Sequence, residues 1–246
     1  MKVLLIIPVY NEEMNIGKVI EEVKTDLDFV DILVVNDCST DGTLSVIEKI
    51  QGINYISLPV NLGYSGALQT GFKYAVNNNY EAVIQFDGDG QHIASEALRL
   101  YKIFLDTQSD IVIGSRFKTD KLEYHHSFFR GLGTKIFQTL IKKFCKVSIT
   151  DPTSGFQILS KDVFEIYSKM NNYPEFPDAN LLIEMLFKGY KVEEEYVRMR
   201  NREFGESMHG GLIKPMKYMI VMIYSIIILL TRRKEFSRNT IGKGLA

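Results

Sequence analysis

Short apolar runs alternate with helix-patterned segments through the first 115 residues of the chain. The runs are continuous rather than alternating, which is typical of parallel strands buried on both faces. They cover residues 3–7, 32–35, 55–58, 83–86 and 111–113. Between the first two runs, Ile16, Val19, Ile20 and Val23 recur at helical spacing. Four such alternations predict an α/β fold in which helices cover both faces of a mostly parallel central sheet.

Beyond residue 130 the pattern is less regular. An apolar stripe over 132–144 predicts one long helix, and Gly189 is placed to end another helix over 181–188. Short strands are predicted over 157–159 and 191–200.

Polar and acidic side chains follow three of the predicted strands. Asn11 and Glu12 come after the first strand, Asp37 after the second, and Asp87 and Asp89 after the fourth. Right-handed crossovers place the carboxyl ends of parallel strands at one edge of the sheet, where ligands bind. We therefore expect these side chains to line one cleft.

The acidic pair in the segment QFDGDGQ, residues 85–91, suits a divalent cation. Asp87 and Asp89 are two residues apart, so an extended chain directs both carboxylates to one side. There they can share a hard cation, which prefers oxygen ligands. Gly88 lets the backbone approach a bulky ligand or adopt a positive φ. A cation held in this way suits a diphosphate, and a simple polar turn between strand and helix is the alternative.

Other phosphate and cation sites are excluded by spacing. An EF-hand calcium loop would need glycine where His92 stands and an acid where Leu98 stands. No G-x-G-x-x-G follows the first strand, and no G-x-x-x-x-G-K-[ST] occurs. Without a glycine loop, a metal on Asp87 and Asp89 together with arginines is the physical alternative for neutralising a diphosphate.

Composition narrows the class of partner and the compartment. A net charge of -1 over 246 residues gives no global field that favours nucleic acid. Two cysteines, Cys38 and Cys145, argue against a disulfide scaffold and fit a reducing cytosol. The first apolar run is too short for a signal peptide and leads directly into Pro8.

The composition changes near residue 210. Residues 218–230 read YMIVMIYSIIILL without a charge, Lys214 and Lys217 precede them, and basic residues 232–234 follow. The run is shorter than the ~20 residues of a spanning helix. We interpret it as a helix in or against the membrane interface, with its flanking cations near anionic headgroups. A C-terminal helix buried in the core or in a dimer is the alternative.

Seven short motifs, taken in chain order, resemble those of the inverting family 2 glycosyltransferases. They are P-x-Y-N-E at 8–12, D-x-S-x-D-x-T at 37–43, N-x-G-x-x-x-A-x-x-x-G at 61–71, D-x-D at 87–89, G-S-R at 114–116, D-x-x-S-G-F at 151–156 and R-x-x-G-x-S at 202–207. The chain is most similar to the polyprenyl-phosphate sugar transferases, the dolichol-phosphate mannose synthase type. The resemblance implies a GT-A, Rossmann-like catalytic domain over 1–210, followed by a membrane-associating segment over 211–246.

The resemblance also implies roles for individual residues. The nucleotide sugar would be bound by Pro8, Tyr10, Glu12, Asp37, Asp87 and Gly88. Mg²⁺ or Mn²⁺ would be held by Asp87, Asp89 and Gln91. The charge that develops on the diphosphate leaving group would be stabilised by Asp89 with its metal and by Arg116, Arg130 and Arg202.

The acceptor is left open between two chemistries. A polyprenyl phosphate, undecaprenyl or dolichyl, is already anionic and needs no general base, whereas a sugar hydroxyl needs a carboxylate base. Asp178 stands where family members that glycosylate hydroxyls keep such an acid. Its surroundings, FPDAN over 176–180, do not clearly show the Glu-Asp pair of those members, which favours the lipid phosphate. A nucleotidyltransferase and a non-enzymatic scaffold that binds nucleotide sugar are the alternatives from other classes.

We therefore expect a metal-assisted hexosyl- or N-acetylhexosaminyltransferase at the cytoplasmic face of the cell membrane, active in the assembly of surface polysaccharide or glycan. Its expected partners are a UDP- or GDP-sugar, a polyprenyl phosphate and the membrane surface. A small membrane-protein partner or a homo-oligomer is left open, and no nucleic acid is expected.

Overall fold

The computed structural model describes residues 1–118, 128–171, 173–204, 213–233 and 235–236, with the backbone alone for residues 128–132 and 213–215. The strands are β1 (Val3–Val9), β2 (Val30–Asn36), β3 (Asn54–Ser57), β4 (Ala82–Gln85), β5 (Ile111–Ser115), β6 (Gln157–Ser160) and β7 (Val192–Tyr196). The helices are α1 (Ile16–Asp26), α2 (Thr43–Ile47), α3 (Gly63–Asn77), α4 (Ala94–Thr107), α5 (Phe128–Cys145), α6 (Lys161–Lys169), α7 (Ala179–Phe187) and α8 (Ile213–Thr231).

The described strands form one seven-stranded sheet in the order β3-β2-β1-β4-β6-β5-β7. Four pairs of neighbouring strands are parallel, while β6 runs antiparallel to both β4 and β5. The predicted α/β class with a mostly parallel sheet is confirmed. Because β6 runs in the opposite direction, its first residue, Gln157, lies at the edge where the parallel strands end.

Side chains of β1 point alternately into two cores, one on each face of the sheet. Leu4 and Ile6 join the core formed with α3, α5, α6, α7 and α8. Val3, Leu5 and Ile7 join the core formed with α1, α2 and α4. Burial on both faces explains why the sequence of this strand is an unbroken apolar run.

Some boundaries differ from the predicted ones for local reasons. Strand β1 continues through Pro8 to Val9, because β4 pairs with β1 only as far as Ile6 and the missing N–H of proline removes no ladder bond. Strand β5 continues to Ser115, whereas the prediction ended this strand at Gly114.

Two elements of the second half also differ from the sequence prediction. Strand β7 ends at Tyr196 rather than at residue 200, because the chain turns toward the loop after β4 and the Arg200 N–H donates to the Gln91 carbonyl at 2.9 Å. Helix α6 had no sequence prediction; Val163, Phe164 and Tyr167 bury its inner face. Gly189 does follow a helix, with φ of 85°.

Helix α8 covers the apolar run at the C-terminal end and packs against α7 and α5. Met222 and Ile226 are buried in the core. On its outer side, Met216, Ile220 and Tyr224 are 63–66% exposed. Among the helices that the structure describes, none combines the length and apolarity needed to cross a bilayer.

Candidate active site

The predicted cleft forms at the edge of the sheet where the parallel strands end. Glu12 follows β1, Asp37 follows β2, Asp87 and Asp89 follow β4, and Arg116 follows β5. The turn at 151–156 arrives at the same edge, because it leads into the antiparallel β6. Strand direction therefore brings together groups that lie more than 100 residues apart in the sequence.

The acidic turn after β4 packs closely against the end of β1. A Cβ atom at Gly88 would lie 2.4 Å from Val9 Cγ1, so a larger residue would push the turn away from the sheet. Asp89 Oδ1 accepts the Gln91 N–H at 3.0 Å, which closes the turn. Gly90 adopts a φ of 78°, a left-handed conformation that glycine reaches without strain.

The two carboxylates of this turn are costly to ionise together. Burial raises the pKa of Asp87, opposed by Tyr64, Arg116 and Arg202. Burial also raises the pKa of Asp89, and the neighbouring charge of Asp87 raises it further. A divalent cation would favour the ionised form of both groups.

The donor set fits a hard cation. Within the described ranges, no three or more His, Cys, Asp or Glu side chains are grouped so that they could hold a metal ion. The site offers two carboxylates instead, which is the usual protein contribution to Mg²⁺ when substrate phosphates and water complete the coordination. Gln91, the third expected ligand, directs its Nε2 to the Arg200 carbonyl at 3.3 Å and so ties the turn to the segment after β7.

Arg202 connects the first and fourth strand ends. Its guanidinium forms an ion pair with Glu12, and Nη1 lies 3.6 Å from Asp89 Oδ2. Its Nε donates to the Phe204 carbonyl at 2.8 Å. Glu12 also accepts the amide of Asn15 at 2.7 Å. Glu12 thus holds Arg202 beside the acidic turn, a contact that the sequence did not predict.

Arg116 is held by Asp151, from the turn before β6. Nε donates to Oδ2 at 2.7 Å and Nη2 donates to Oδ1 at 2.8 Å, which is a bidentate pair. Asp151 is in turn fixed by Glu194 of β7, whose carboxylate accepts the N–H groups of Asp151 and Thr150 at 2.7–2.9 Å. Arg116 remains close enough to lower the pKa of Asp87.

Asp37 follows β2 and lies at the start of α3. Its Oδ1 accepts the Leu62 N–H at 2.7 Å, so the carboxylate caps this helix. Pro8 is buried in β1, while Tyr10 is 47% exposed just beyond it. Pro8 thus belongs to the buried strand, Asp37 caps α3, and the exposed ring of Tyr10 is open to a ligand.

Asp178 belongs to the same site. It precedes α7, and the Tyr218 hydroxyl of α8 donates to its Oδ2 at 2.8 Å. Burial raises the pKa of Asp178 to about 6, with Arg116 lowering it and the charges of Asp151 and Asp87 raising it.

Parts of the expected site fall outside the described residues. The backbone of Arg130 lies in α5, but its side chain is not described. Residues 205–207 of the last motif are also outside the described ranges.

Four site residues had no assigned role in the sequence analysis. Tyr64 and His92 contact Asp87, Asp151 binds Arg116, and Tyr218 binds Asp178. Tyr64 and Asp151 lie within two of the seven motifs, so the motifs could have indicated a role in the site. His92 follows Asp87 by one turn, and Tyr218 lies 40 residues from Asp178. Neither His92 nor Tyr218 belongs to a motif, so the sequence did not indicate their roles.

The sequence of this chain matches a known protein family. The family described as "Glycosyl transferase family 2" matches residues 4–167. Polyprenol monophosphomannose synthase of Mycolicibacterium smegmatis is 26% identical over 217 residues, which are 85% of this chain and 82% of that protein. Undecaprenyl-phosphate mannosyltransferase of Micrococcus luteus is 25% identical over 222 residues, with coverage of 87% and 90%.

A solved structure shares the fold. Glucosyl-3-phosphoglycerate synthase of Mycobacterium tuberculosis, in complex with Mn²⁺, UDP-glucose and phosphoglyceric acid, superposes with a TM-score of 0.65 at 16% identity over 92% of this chain and 79% of that chain. The resemblance inferred from the seven motifs is confirmed by the family match. With the family match covering most of the sheet, the chain belongs to glycosyl transferase family 2 and is a glycosyltransferase with a GT-A-like fold.

Proposed function

We propose that this enzyme transfers a sugar, with inversion, from a nucleoside-diphosphate sugar to a polyprenyl phosphate. One observation carries the proposal: two carboxylates and two guanidinium groups lie close together at one edge of the sheet. They belong to Asp87, Asp89, Arg116 and Arg202. Such a site can hold a cation and two guanidinium groups around one diphosphate. The two relatives, named for polyprenol and undecaprenyl-phosphate mannosyl transfer, support a lipid phosphate as the acceptor.

Asp87 and Asp89, with Gln91 as the third ligand, would hold Mg²⁺ or Mn²⁺. The Mn²⁺ bound to the M. tuberculosis enzyme supports a divalent ion in this fold. When bound, the ion supplies Lewis-acid stabilisation of the charge on the leaving diphosphate. The donor would be a UDP- or GDP-sugar, with its base and ribose near Tyr10 and Asp37.

The transfer is an in-line displacement at the anomeric carbon. An acceptor phosphate oxygen forms the new bond to that carbon as its bond to the diphosphate oxygen breaks, and the nucleoside diphosphate leaves with the electron pair. Arg202, fixed by Glu12, and Arg116, fixed by Asp151, stabilise that developing charge. Arg130 is the third expected contributor. Because both described guanidinium groups are preorganised by carboxylates, little reorganisation is needed during the reaction.

Asp178 bears on the choice of acceptor. An anionic phosphate attacks without losing a proton, so this carboxylate would serve as a hydrogen-bond partner of Tyr218 rather than as a base. The competing function is transfer to a sugar hydroxyl, and one observation favours it: a pKa of about 6 suits a general base near neutral pH.

The C-terminal segment, residues 211–246, would attach the enzyme to the cytoplasmic face of the membrane. The exposed stripe of Met216, Ile220 and Tyr224 presents apolar area beside the site, since Tyr218 of the same helix reaches Asp178. Lys217 and the basic residues after the helix suit anionic headgroups. A lipid acceptor would then enter along α8, and a membrane-protein partner or second copy could share this surface.

The test is a donor screen. The full chain is incubated with UDP- and GDP-sugars, Mn²⁺ or Mg²⁺, and undecaprenyl phosphate in membrane lipid extract, and the lipid product is identified by mass. We expect one glycosyl-phosphoryl-polyprenol, lost in Asp89→Asn and retained within about tenfold in Asp178→Asn, since a general base contributes about 10²–10⁴-fold. Near-complete loss in Asp178→Asn, with product on a hydroxyl acceptor, would establish the competing function.

A further inference from the structure

Both carboxylate oxygens of Asp87 have partners that lie outside the proposed cation site. The Tyr64 hydroxyl donates to Oδ1 at 3.0 Å. His92 Nε2 lies 3.5 Å from Oδ2. The two partners come from different elements, because Tyr64 is in the first turn of α3 and His92 lies just before α4.

His92 is fixed before any ligand binds. It is 2% exposed, and its ring stacks on Phe156 with centroids 4.2 Å apart. The ring of Phe86 lies nearly perpendicular to it, with centroids 5.3 Å apart. His92 Nδ1 accepts the Asp87 N–H at 3.0 Å. His92 therefore contacts Asp87 through both ring nitrogens, with Nδ1 at the backbone N–H and Nε2 near Oδ2.

Tyr64 is confined by the turn before β6. A Cβ atom at Gly155 would lie 2.8 Å from the Tyr64 hydroxyl oxygen. The absence of a side chain at residue 155 therefore leaves the space that the hydroxyl occupies. The same Cβ would lie 4.0 Å from Asp87 Oδ2, so this glycine borders both members of the hydrogen bond.

We propose that Tyr64 and His92 are positioning residues that fix the orientation of Asp87 before the cation binds, and that the Tyr64 hydrogen bond thereby sets the affinity of the site for a divalent ion. The inference rests on the proposed function, since it assumes that Asp87 is a metal ligand. Partners behind a ligand orient it and typically change metal affinity 10–100-fold when they are removed. Without the hydroxyl, the carboxylate must be ordered during binding, and that entropic cost weakens the complex.

The test measures Mn²⁺ binding rather than turnover. Free Mn²⁺ is followed by electron paramagnetic resonance as the metal alone is titrated into the full chain. We expect Tyr64→Phe, which keeps the ring, to raise the Kd for Mn²⁺ about 10–100-fold. An unchanged Kd in folded Tyr64→Phe would overturn the proposal.

The chain offers a matched control. The Tyr80 hydroxyl donates to Asp31 Oδ2 at 2.9 Å, near the start of β2 and thus at the opposite end of the strands from the site. Tyr80→Phe removes the same kind of hydrogen bond and should leave the Kd for Mn²⁺ at the wild-type value. An equal loss of affinity in both variants would mean that the effect is general destabilisation, which also overturns the proposal.

Two further variants keep the test decisive. Gly155→Ala displaces the Tyr64 hydroxyl by contact, so it should weaken Mn²⁺ binding even if Tyr64→Phe fails to fold. Wild-type affinity in Gly155→Ala would count against the proposal.

Asp89→Asn distinguishes a failure of the proposed metal site from a failure of the positioning role. If Asp89→Asn binds Mn²⁺ as wild type does, the metal site itself is wrong; if it loses Mn²⁺ while Tyr64→Phe does not, only the positioning role fails.

Discussion

The ion pair between Asp151 and Arg116 contributes to the stability of the fold as well as to the proposed site. The carboxylate of Asp151 is 0% exposed, and its charge is balanced by the bidentate contact with Arg116. Burying two charges costs several kcal/mol per ion, which good geometry offsets. Removing one partner leaves the other charge buried without compensation, so we expect the pair to be far more sensitive to single than to double substitution.

Arg116→Met should therefore lower the free energy of unfolding by about 3–5 kcal/mol, measured by urea denaturation in EDTA. Arg116→Met combined with Asp151→Asn should recover a large part of that loss while the enzyme stays inactive, because the guanidinium is still missing. A single variant that unfolds within about 1 kcal/mol of wild type, the usual range of exposed ion pairs, would contradict this account.

The titration of Asp178 makes the free energy of unfolding depend on pH. The pKa of Asp178 is about 6 in the folded protein, against about 3.9 in an unfolded chain, so the folded state binds more protons between these values. The contribution of Asp178 to stability is therefore largest at low pH and is lost as the pH rises through 6.

Asp178→Asn keeps an acceptor for the Tyr218 hydroxyl but has no charge to bury. Relative to wild type, its free energy of unfolding should increase by about 1–3 kcal/mol as the pH is raised from 4 to 7. Thermal and urea unfolding in EDTA at several pH values measure this difference. A constant difference between the two proteins across that range would show that Asp178 titrates normally.

At the scale of elements, the sequence predicted the strands and helices that have a clear local apolar pattern. The apolar runs of β1, β2, β4 and β5 were predictable, because burial on both faces makes them uniformly apolar. The direction of β6 was not, because a strand of four residues carries no information about which way it pairs. Helix α6 follows β6 directly, and the helical spacing of Val163, Phe164 and Tyr167 was a usable signal that the sequence prediction missed.

Helix α3 packs closely against the sheet at Gly71. A Cβ atom there would lie 2.6 Å from Ile6 Cγ2, in a packed core. Gly71→Ala should destabilise the protein by about 1–3 kcal/mol through overpacking. Gly17, in α1, is the matched control, because its nearest neighbour would be Val46 Cγ1 at 3.6 Å. Gly17→Ala should be neutral or stabilising by up to about 1 kcal/mol, and equal losses in urea unfolding would refute the packing argument.

Under the proposed membrane attachment, the two sides of helix α8 have separate roles, one in folding and one in binding the membrane. Ile220 and Tyr224 are 65–66% exposed, whereas Met222 lies in the core. Ile220→Glu with Tyr224→Glu should therefore abolish most sedimentation with anionic lipid vesicles while leaving the unfolding temperature nearly unchanged. Leu105→Glu, on an exposed position of α4, is the control and should bind vesicles as wild type does. Vesicle binding that survives the double substitution would remove α8 from the membrane contact.

At the scale of the whole molecule, the sequence predicted the convergence of the site but not its internal pairing. Asp87, Asp89 and Arg202 were expected together because strand direction and motif order place them at one edge. The pairs Glu12–Arg202 and Arg116–Asp151 join residues 190 and 35 positions apart, and only the folded chain selects them. The resulting cleft concentrates carboxylates around two described guanidinium groups, so a cation bound there would offset part of the negative charge.

This charge balance predicts that the cation stabilises the whole fold. A metal that binds only the folded state adds about 2.7 kcal/mol at 100 times its Kd. For a domain of this size, each kcal/mol raises Tm by about 2–4 °C, so saturating Mn²⁺ should raise it by about 5–10 °C. Differential scanning calorimetry with Mn²⁺ and with EDTA measures the shift. Asp89→Asn should show almost none and should be more stable than wild type in EDTA, because the repulsion with Asp87 is gone. An equal Mn²⁺ shift in wild type and Asp89→Asn would place the cation elsewhere on the protein.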